Sequence, residues 1–387
     1  MKSPAALLAI IFAAALALLA LAVFAPFTVP YYQDFSVMYF TGRGLLAGIP
    51  IYAYPAQLAF VKPLTPAEFS FLPYPYPPWY ALATLFTALL PIQAAARLWF
   101  FLNMSMLGFS AWLLTPGWRG TARILAIFAA IMFIPAFGLL VVGQYSAPVL
   151  VGAALFVVAA RQKRAFLTAI ALLLMTFKPH IGALIFLAGF VWLIFERSPY
   201  SRRTIWLTVL GGLLLAALGF LADPAWPLTY MQSLTRYRDI PGVQTCGLCA
   251  SLPVALVRLA TGQASTAAGA VLSILLTLLA AGLLFGRYRT DMKEPAFLMA
   301  VMCTLTLLID PYLLNYDYIL LLLPLFWLAR PIWTARLALL VYFVPWLILV
   351  IGRNGNIILS MAGLVTFILI LLNPMPHIER AIDLISG

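Results

Sequence analysis

A carboxylate that is to accept a proton works best where water is partly excluded, and Asp34 has such a setting in Tyr31-Tyr32-Gln33-Asp34-Phe35. The neighbouring rings disfavour the ionised form, raise its proton affinity and suit the group to general-base chemistry. A second unusual group is Lys178-Pro179-His180, which interrupts an otherwise apolar stretch from Ala165 to Phe195. The proline forces a break at the point where a cation is costly in an apolar environment. Gly143-Gln144, Asp310-Pro311 and Asn315-Tyr316-Asp317-Tyr318 set further polar groups between apolar runs, and Arg236 and Arg238 add two cations. Each has a plainer use. Asp34 is placed to cap a helix beginning at Ser36, Lys178 to snorkel, Gln144 to cap a helical hairpin, and the Tyr74-Pro75-Tyr76-Pro77-Pro78 run to form an interfacial aromatic belt. Arg236 and Arg238 read equally as loop charges.

The elements that must position these groups follow from composition. Of 387 residues 65% are hydrophobic and 9% charged, and the mean hydropathy is +1.05, whereas a soluble domain carries about a quarter charged residues. Runs such as Leu7 to Phe27, Ala267 to Phe285 and Ile357 to Leu372 approach the roughly 20 residues that span a bilayer. In lipid they must be helical. Leu7 to Phe27 is too long for a signal-peptide core and reads as a retained first helix. The predicted fold class is therefore an all-α polytopic membrane protein.

Positive charge gathers in cytoplasmic loops and orients the chain. With Lys2 inside, crossings are predicted at 7–27, 98–114, 120–141, 146–160, 165–177, 179–195, 204–222, 264–286, 295–309, 317–329, 337–351 and 356–372. Residues 79–90 are placed along the outer interface. This leaves eight of the 23 Lys and Arg residues outside, namely Arg43, Lys62, Arg97, Lys178, Arg236, Arg238, Arg258 and Arg353. Several stand beside breaks, where irregular backbone at membrane depth needs a protein-lined or wet cavity. The polar groups above share that outer side. The expected organisation is one transmembrane domain over 1–387, with an outer loop at 28–78 containing interfacial helices, the remainder of a catalytic module at 79–260, and C-terminal helices at 261–387.

The net charge of +12 is spread loop by loop and forms no patch, so no nucleic-acid partner is expected. Cys246-Gly247-Leu248-Cys249 reads as a disulfide in an oxidising compartment. A zinc site there would need two more ligands nearby.

Taken in order, Asp34-Phe35 with Tyr39, Leu46-Ala47-Gly48-Ile49-Pro50-Ile51-Tyr52, Tyr76-Pro77-Pro78, Gly143-Gln144 and Lys178-Pro179 resemble glycosyltransferase family 87. The resemblance covers about residues 1 to 330 and implies a GT-C type glycosyltransferase fold in the cell membrane. It implies transfer of a sugar, mannose in the family's mycobacterial mannosyltransferases, from a polyprenyl-phosphate donor to a lipid or glycan acceptor on the outer face. The family's outer-loop aspartate falls on Asp34, the expected base of an inverting single displacement. Its Lys-Pro motif falls on Lys178, expected to meet the departing phosphate. His180, Arg236 and Arg238 are expected phosphate helpers on chemistry and side of the membrane alone, while Tyr76, Gln144, Asn315, Asp317 and Tyr318 are expected to contact substrate. No cofactor or metal is expected, since Lys and Arg suffice for a monophosphate and no Asp-x-Asp occurs. The Asp-His or His-Asp pair of other members is replaced here by Asn315-Tyr316-Asp317-Tyr318. Two other classes bear weighing. A transporter or lipid flippase predicts similar halves, but the unusual residues crowd into the first half. A membrane scaffold gives no reason for Asp34 and Lys178 to share a face.

Overall fold

The computed structural model describes residues 33–118, 120–246, 249–288, 291–329, 332–347 and 356–372. The predicted first helix, the start of the predicted outer loop, and the cations Lys2, Arg119, Arg289, Arg330, Arg353 and Arg380 lie outside these residues. The described residues form helices and turns, with no strand among them.

Three short helices open the described chain: α1 (Gln33–Leu46), α2 (Tyr54–Val61) and α3 (Pro78–Thr84), which runs on as a 3-10 turn through Leu89. The long α4 (Ile92–Leu114) comes next. A broken pair follows, α5 (Thr121–Met132) and α6 (Ile134–Val142), bent by 56° at Phe133. Then come α7 (Ala147–Arg161), α8 (Ala165–Met175), α9 (Pro179–Glu196), α10 (Pro199–Ala222), α11 (Trp226–Arg238), α12 (Pro241–Thr245), α13 (Leu252–Thr261) and α14 (Thr266–Tyr288). After α15 (Pro295–Ile309), a 3-10 segment at Asn315–Leu321 feeds α16 (Leu322–Leu328), and α17 (Ile332–Phe343) and α18 (Asn356–Leu372) close the described chain. Proline at the first position of α3, α9, α10, α12 and α15 sets where these helices start without breaking them, because the first turn needs no backbone donor.

The centre is α7, which is buried along almost its whole length. It packs on α4, α8, α9 and α15. Small residues permit the approach: a Cβ at Gly152 would come within 2.7 Å of the Ala171 carbonyl oxygen on α8. At one end, Arg161 of α7 donates from Nε to Glu294 Oε1 at 2.7 Å. The other oxygen of Glu294 caps α15 by accepting from Phe297 N at 2.7 Å.

The outside of the bundle is apolar in the way a membrane requires. Trp206, Leu213, Leu214 and Phe220 on α10 and Val271, Leu275 and Leu278 on α14 are exposed, a density of surface hydrophobes that water would not tolerate. Among the described residues, Pro179–Glu196, Pro199–Ala222 and Thr266–Leu284 are each long and apolar enough to cross a bilayer, and the bent α5–α6 pair is so only when its two halves are taken together. The chain is an integral membrane protein.

Three predicted starts move outward by five residues or more, one of them that of 337–351, whose helix begins at Ile332. The crossing placed at 98–114 begins at Ile92, and that placed at 204–222 begins at Pro199. Arg97 in the former, and Arg202 and Arg203 in the latter, are exposed on the first turns. A cation on an exposed face does not end a helix.

Between α12 and α13, Cys246 and Cys249 are joined as a disulfide. The loop after it is stitched to the segment leading out of α15. Ala250 N donates to Leu313 O at 2.7 Å, Ser251 Oγ donates to Asp310 O at 2.7 Å, and Tyr318 Oη donates to Ala250 O at 2.7 Å.

Candidate active site

Four helix ends converge on one polar network. Asp34 lies in the first turn of α1, where the helix dipole favours a carboxylate. The bent α5–α6 pair ends at Gly143, whose φ of +71° is the left-handed cap that glycine supplies most readily. This cap releases Gln144, Tyr145 and Ser146 into the site before α7 starts. Lys178 precedes Pro179 and is held out of the helical conformation, as residues before proline are. Gly182, one turn on, allows α9 to start against the end of α8, because a Cβ there would collide with the Met175 carbonyl. Tyr316 and Asp317 come from the 3-10 segment after α15.

Gln144 is the hub. Its Nε2 donates to Asp34 Oδ2 at 3.0 Å and to Tyr316 Oη at 2.7 Å. Its Oε1 accepts from Tyr145 N at 2.8 Å and from Tyr76 Oη at 3.3 Å. Two donors and two lone pairs exhaust a side-chain amide, so Gln144 holds its neighbours in place and has no capacity left for a ligand. Tyr145 adds a hydrogen bond from its hydroxyl to the Asp34 carbonyl.

Beside this hub is a buried ion pair. Lys178 Nζ donates to Asp317 Oδ1 at 2.6 Å and to Ser146 Oγ at 2.9 Å, and Ser146 Oγ donates to the same Asp317 oxygen at 2.6 Å. Asp317 Oδ2 accepts from Leu314 N at 3.2 Å and lies 3.9 Å from His180 Nε2. Lys178 is 1% exposed, and its ammonium stands 4.7 Å from the centre of the Tyr316 ring, within cation–π range. Tyr316 therefore joins the two halves, one through its hydroxyl and the other through its face.

Of the residues expected from sequence, Asp34, Tyr76, Gln144, Lys178, His180 and Asp317 are brought together. Four are not. Arg236 and Arg238 are exposed on α11, with Arg238 beside Asp239 at 3.3 Å. Asn315 is exposed. Tyr318 is buried on the far side, against Ala250 O and Ser360. Ser146, Tyr145 and Tyr316 join the site without being expected from sequence, as do Tyr237 and Tyr312, whose hydroxyls meet at 3.0 Å beside His180. Proximity in sequence to Gly143-Gln144 and to Asp317 is the available signal for the first three. Asp310 closes the far edge, with Oδ1 accepting from Tyr312 N at 2.8 Å.

Asp34 is half-buried as a residue, yet its carboxyl lies deep enough among protein atoms to be pushed up to about 6. Burial is the main cause; Lys178 pulls the other way, Asp317 adds to the rise, and hydrogen bonds from Gln144 and Tyr316 lower it again. A carboxylate in that range is mostly ionised at neutral pH and still basic enough to receive a proton. If it does so in turnover, kcat/KM falls as pH drops through about 6. Gln144→Leu removes a donor that favours the ionised form, so the acid limb moves to higher pH. An acid limb near the ordinary carboxylate value of about 4, or one that Gln144→Leu leaves unmoved, would rule Asp34 out as the titrating base.

Comparison with known families gives one match. The model of glycosyltransferase family 87 matches residues 74–311. Among curated proteins there is no match to the chain. The matched stretch carries Tyr76, Gln144, Lys178 and His180 and stops short of Asp34 on one side and of Asp317 on the other.

Proposed function

The chain belongs to glycosyltransferase family 87, and from that premise we propose that it moves a sugar, mannose by analogy with the family, from a polyprenyl-phosphate donor to a lipid or glycan acceptor. The observation that carries this reading is the placing of a basic, half-buried carboxylate, Asp34, so that only Gln144 and the Tyr316 ring separate it from the buried Lys178–Asp317 pair. A base and a cationic anchor so close together suit a reaction in which one oxygen loses a proton while another gains negative charge.

In the displacement, Asp34 takes the proton of the acceptor hydroxyl as that oxygen forms its bond to the anomeric carbon. The bond from the anomeric carbon to the phosphate oxygen breaks, and its electron pair leaves with the polyprenyl phosphate. One displacement inverts the anomeric centre. Negative charge on the departing phosphate is met by His180, which is partly exposed, and through the field of Lys178 behind it. Arg236 and Arg238, exposed on α11, are left with contacts to membrane headgroups or to the far end of a donor phosphate.

The site is assigned to the outer side of the cell membrane, within about twelve crossings. The charge distribution supports that side, and so does the Cys246–Cys249 disulfide, which persists in oxidising compartments. A polyprenyl tail costs about 0.8 kcal/mol for each CH₂ withdrawn from lipid, so the donor is expected to arrive sideways from the bilayer.

The test is incubation of the purified protein with a panel of polyprenyl-phosphate sugars, following release of polyprenyl phosphate. Release dependent on an acceptor, from one sugar above the others, is the expected result. A nucleotide sugar serving as the better donor would overturn the assignment.

A further inference from the structure

A substrate touches only the atoms it can reach, and the network divides sharply on that ground. Gln144, Ser146, Lys178, Tyr316 and Asp317 are buried, and the bonds described above occupy the amide of Gln144 and both oxygens of Asp317. The members with surface to offer are Asp34, His180, Tyr237 and Tyr312. Proton abstraction claims Asp34, and His180 faces the anion. The two phenols have no role in the displacement as written.

Their placement is specific. On α11 the residues turned toward the body are Trp226, Tyr230, Ser233 and Tyr237, spaced four, three and four apart, as one face of a helix demands. Trp226 Nε1 donates to Ala216 O at 3.0 Å, Tyr230 lies 5.4 Å ring to ring from Tyr52, and Ser233 Oγ donates to Tyr74 O at 2.8 Å. Those three fasten the helix. Tyr237, at its C-terminal end, reaches Tyr312 instead, with the rings edge to face at 6.1 Å and the hydroxyls 3.0 Å apart. Tyr312 is in turn set by its backbone bond to Asp310 and by the His180 ring at 6.0 Å. Burial above all raises the proton affinity of both phenols; Tyr237 adds to the rise at Tyr312, the charges of Asp34 and Asp317 add at both, and both stay neutral.

Two neutral hydroxyls sharing one hydrogen bond still offer a spare O–H and several lone pairs. A phosphate wants donors and positive charge, whereas a sugar ring presents donors and acceptors together. Resting on the transferase reading above, we propose that Tyr237 and Tyr312 form a bracket that binds the hydroxyls of the glycosyl group being transferred. The bracket adjoins His180, which meets the leaving phosphate, and so borders the place where the sugar must lie in a displacement of this kind. It makes the C-terminal end of α11 a determinant of sugar choice.

The experiment uses Tyr237→Phe and Tyr312→Phe, each of which keeps the ring, in the full-length protein with farnesyl-phosphate hexoses and their monodeoxy analogues as donors. Each variant is expected to raise donor KM about tenfold, the effect of one lost hydrogen bond, with thermal stability near wild type. One deoxy position should weaken the wild type by a similar factor and the matching Phe variant no further. An unchanged KM in both variants, or deoxy penalties identical in wild type and variants at every position, would overturn the bracket. If the wild type turns over no donor, the transfer reading itself fails. Donor-induced thermal shifts then decide the bracket: a shift that the Phe variants lose supports it, and a shift that they keep, or none at all, overturns it.

Discussion

Asp34→Asn is expected to abolish sugar transfer while leaving expression, thermal stability and donor binding near wild type. Asparagine matches aspartate in size and can still accept the hydrogen bond from Gln144 Nε2 that holds the side chain. Any role as a helix cap would also survive, since asparagine caps as well as aspartate. Proton transfer would not, because an amide does not take up a proton at neutral pH. General-base catalysis contributes roughly 10²- to 10⁴-fold, and the loss should fall toward the upper end for a base that also orients the acceptor. Single-turnover transfer with saturating donor measures it. Activity within about tenfold of wild type would remove Asp34 as the base. Asp317 could not then take over, since its oxygens are occupied by Lys178, Ser146 and Leu314 N. Asp310, whose Oδ2 is buried without a hydrogen-bond partner, would be the carboxylate to test.

The second large effect concerns the buried pair. From sequence, Lys178→Ala is expected to weaken donor use more than folding. The bonds to Asp317 and Ser146 change that expectation, because removing one partner strands a charge in the protein interior. Lys178→Ala and Asp317→Ala should each destabilise by about 3–5 kcal/mol, read as a fall in the midpoint of thermal unfolding in detergent. Replacing both, as Lys178→Met with Asp317→Leu, leaves no stranded charge and should restore most of the stability, since buried ion pairs are often neutral against apolar substitutes. The double variant then isolates the chemistry. If the Lys178 charge helps the phosphate leave, transfer stays depressed by roughly 10- to 100-fold although the fold is recovered, as for a lost bond to a charged group. Full turnover in the double variant would make the pair purely structural.

The helices are largely legible in the sequence. Two of the later helices illustrate it: α15 at Pro295–Ile309 and α18 at Asn356–Leu372 coincide with the segments predicted at 295–309 and 356–372, since long uncharged stretches leave few alternatives. Starts shift where cations sit on exposed first turns, as at Arg97. In the site, Asp34, Gln144, Lys178 and Asp317 stand out because each is polar against an apolar background. Which of them pair is not legible. Lys178 and Asp317 are 139 residues apart, and neither carries a local mark of the other, so a lysine beside a helix break reads as a cation free for phosphate. The tyrosines are harder still. Among 17 tyrosines, the sequence does not distinguish those whose hydroxyls face the site, such as Tyr237 and Tyr316, from those that close the core, such as Tyr318.

The reach of the network along the chain bears on how the protein is made. Gln144 bonds to Asp34 across 110 residues and to Tyr316 across 172. During synthesis the segments carrying Asp34, Gln144 and Lys178 are made well before residue 317 leaves the ribosome. Until then Lys178 lacks its counter-ion and Gln144 lacks one of its acceptors. The nascent protein is thus a set of helices without a working centre, and translation must pass the 3-10 segment at Asn315–Leu321 before the enzyme exists. A chain cut at residue 311, where the family match ends, would keep most of its helices and carry an uncompensated lysine in place of a site, a ready mark for membrane quality control.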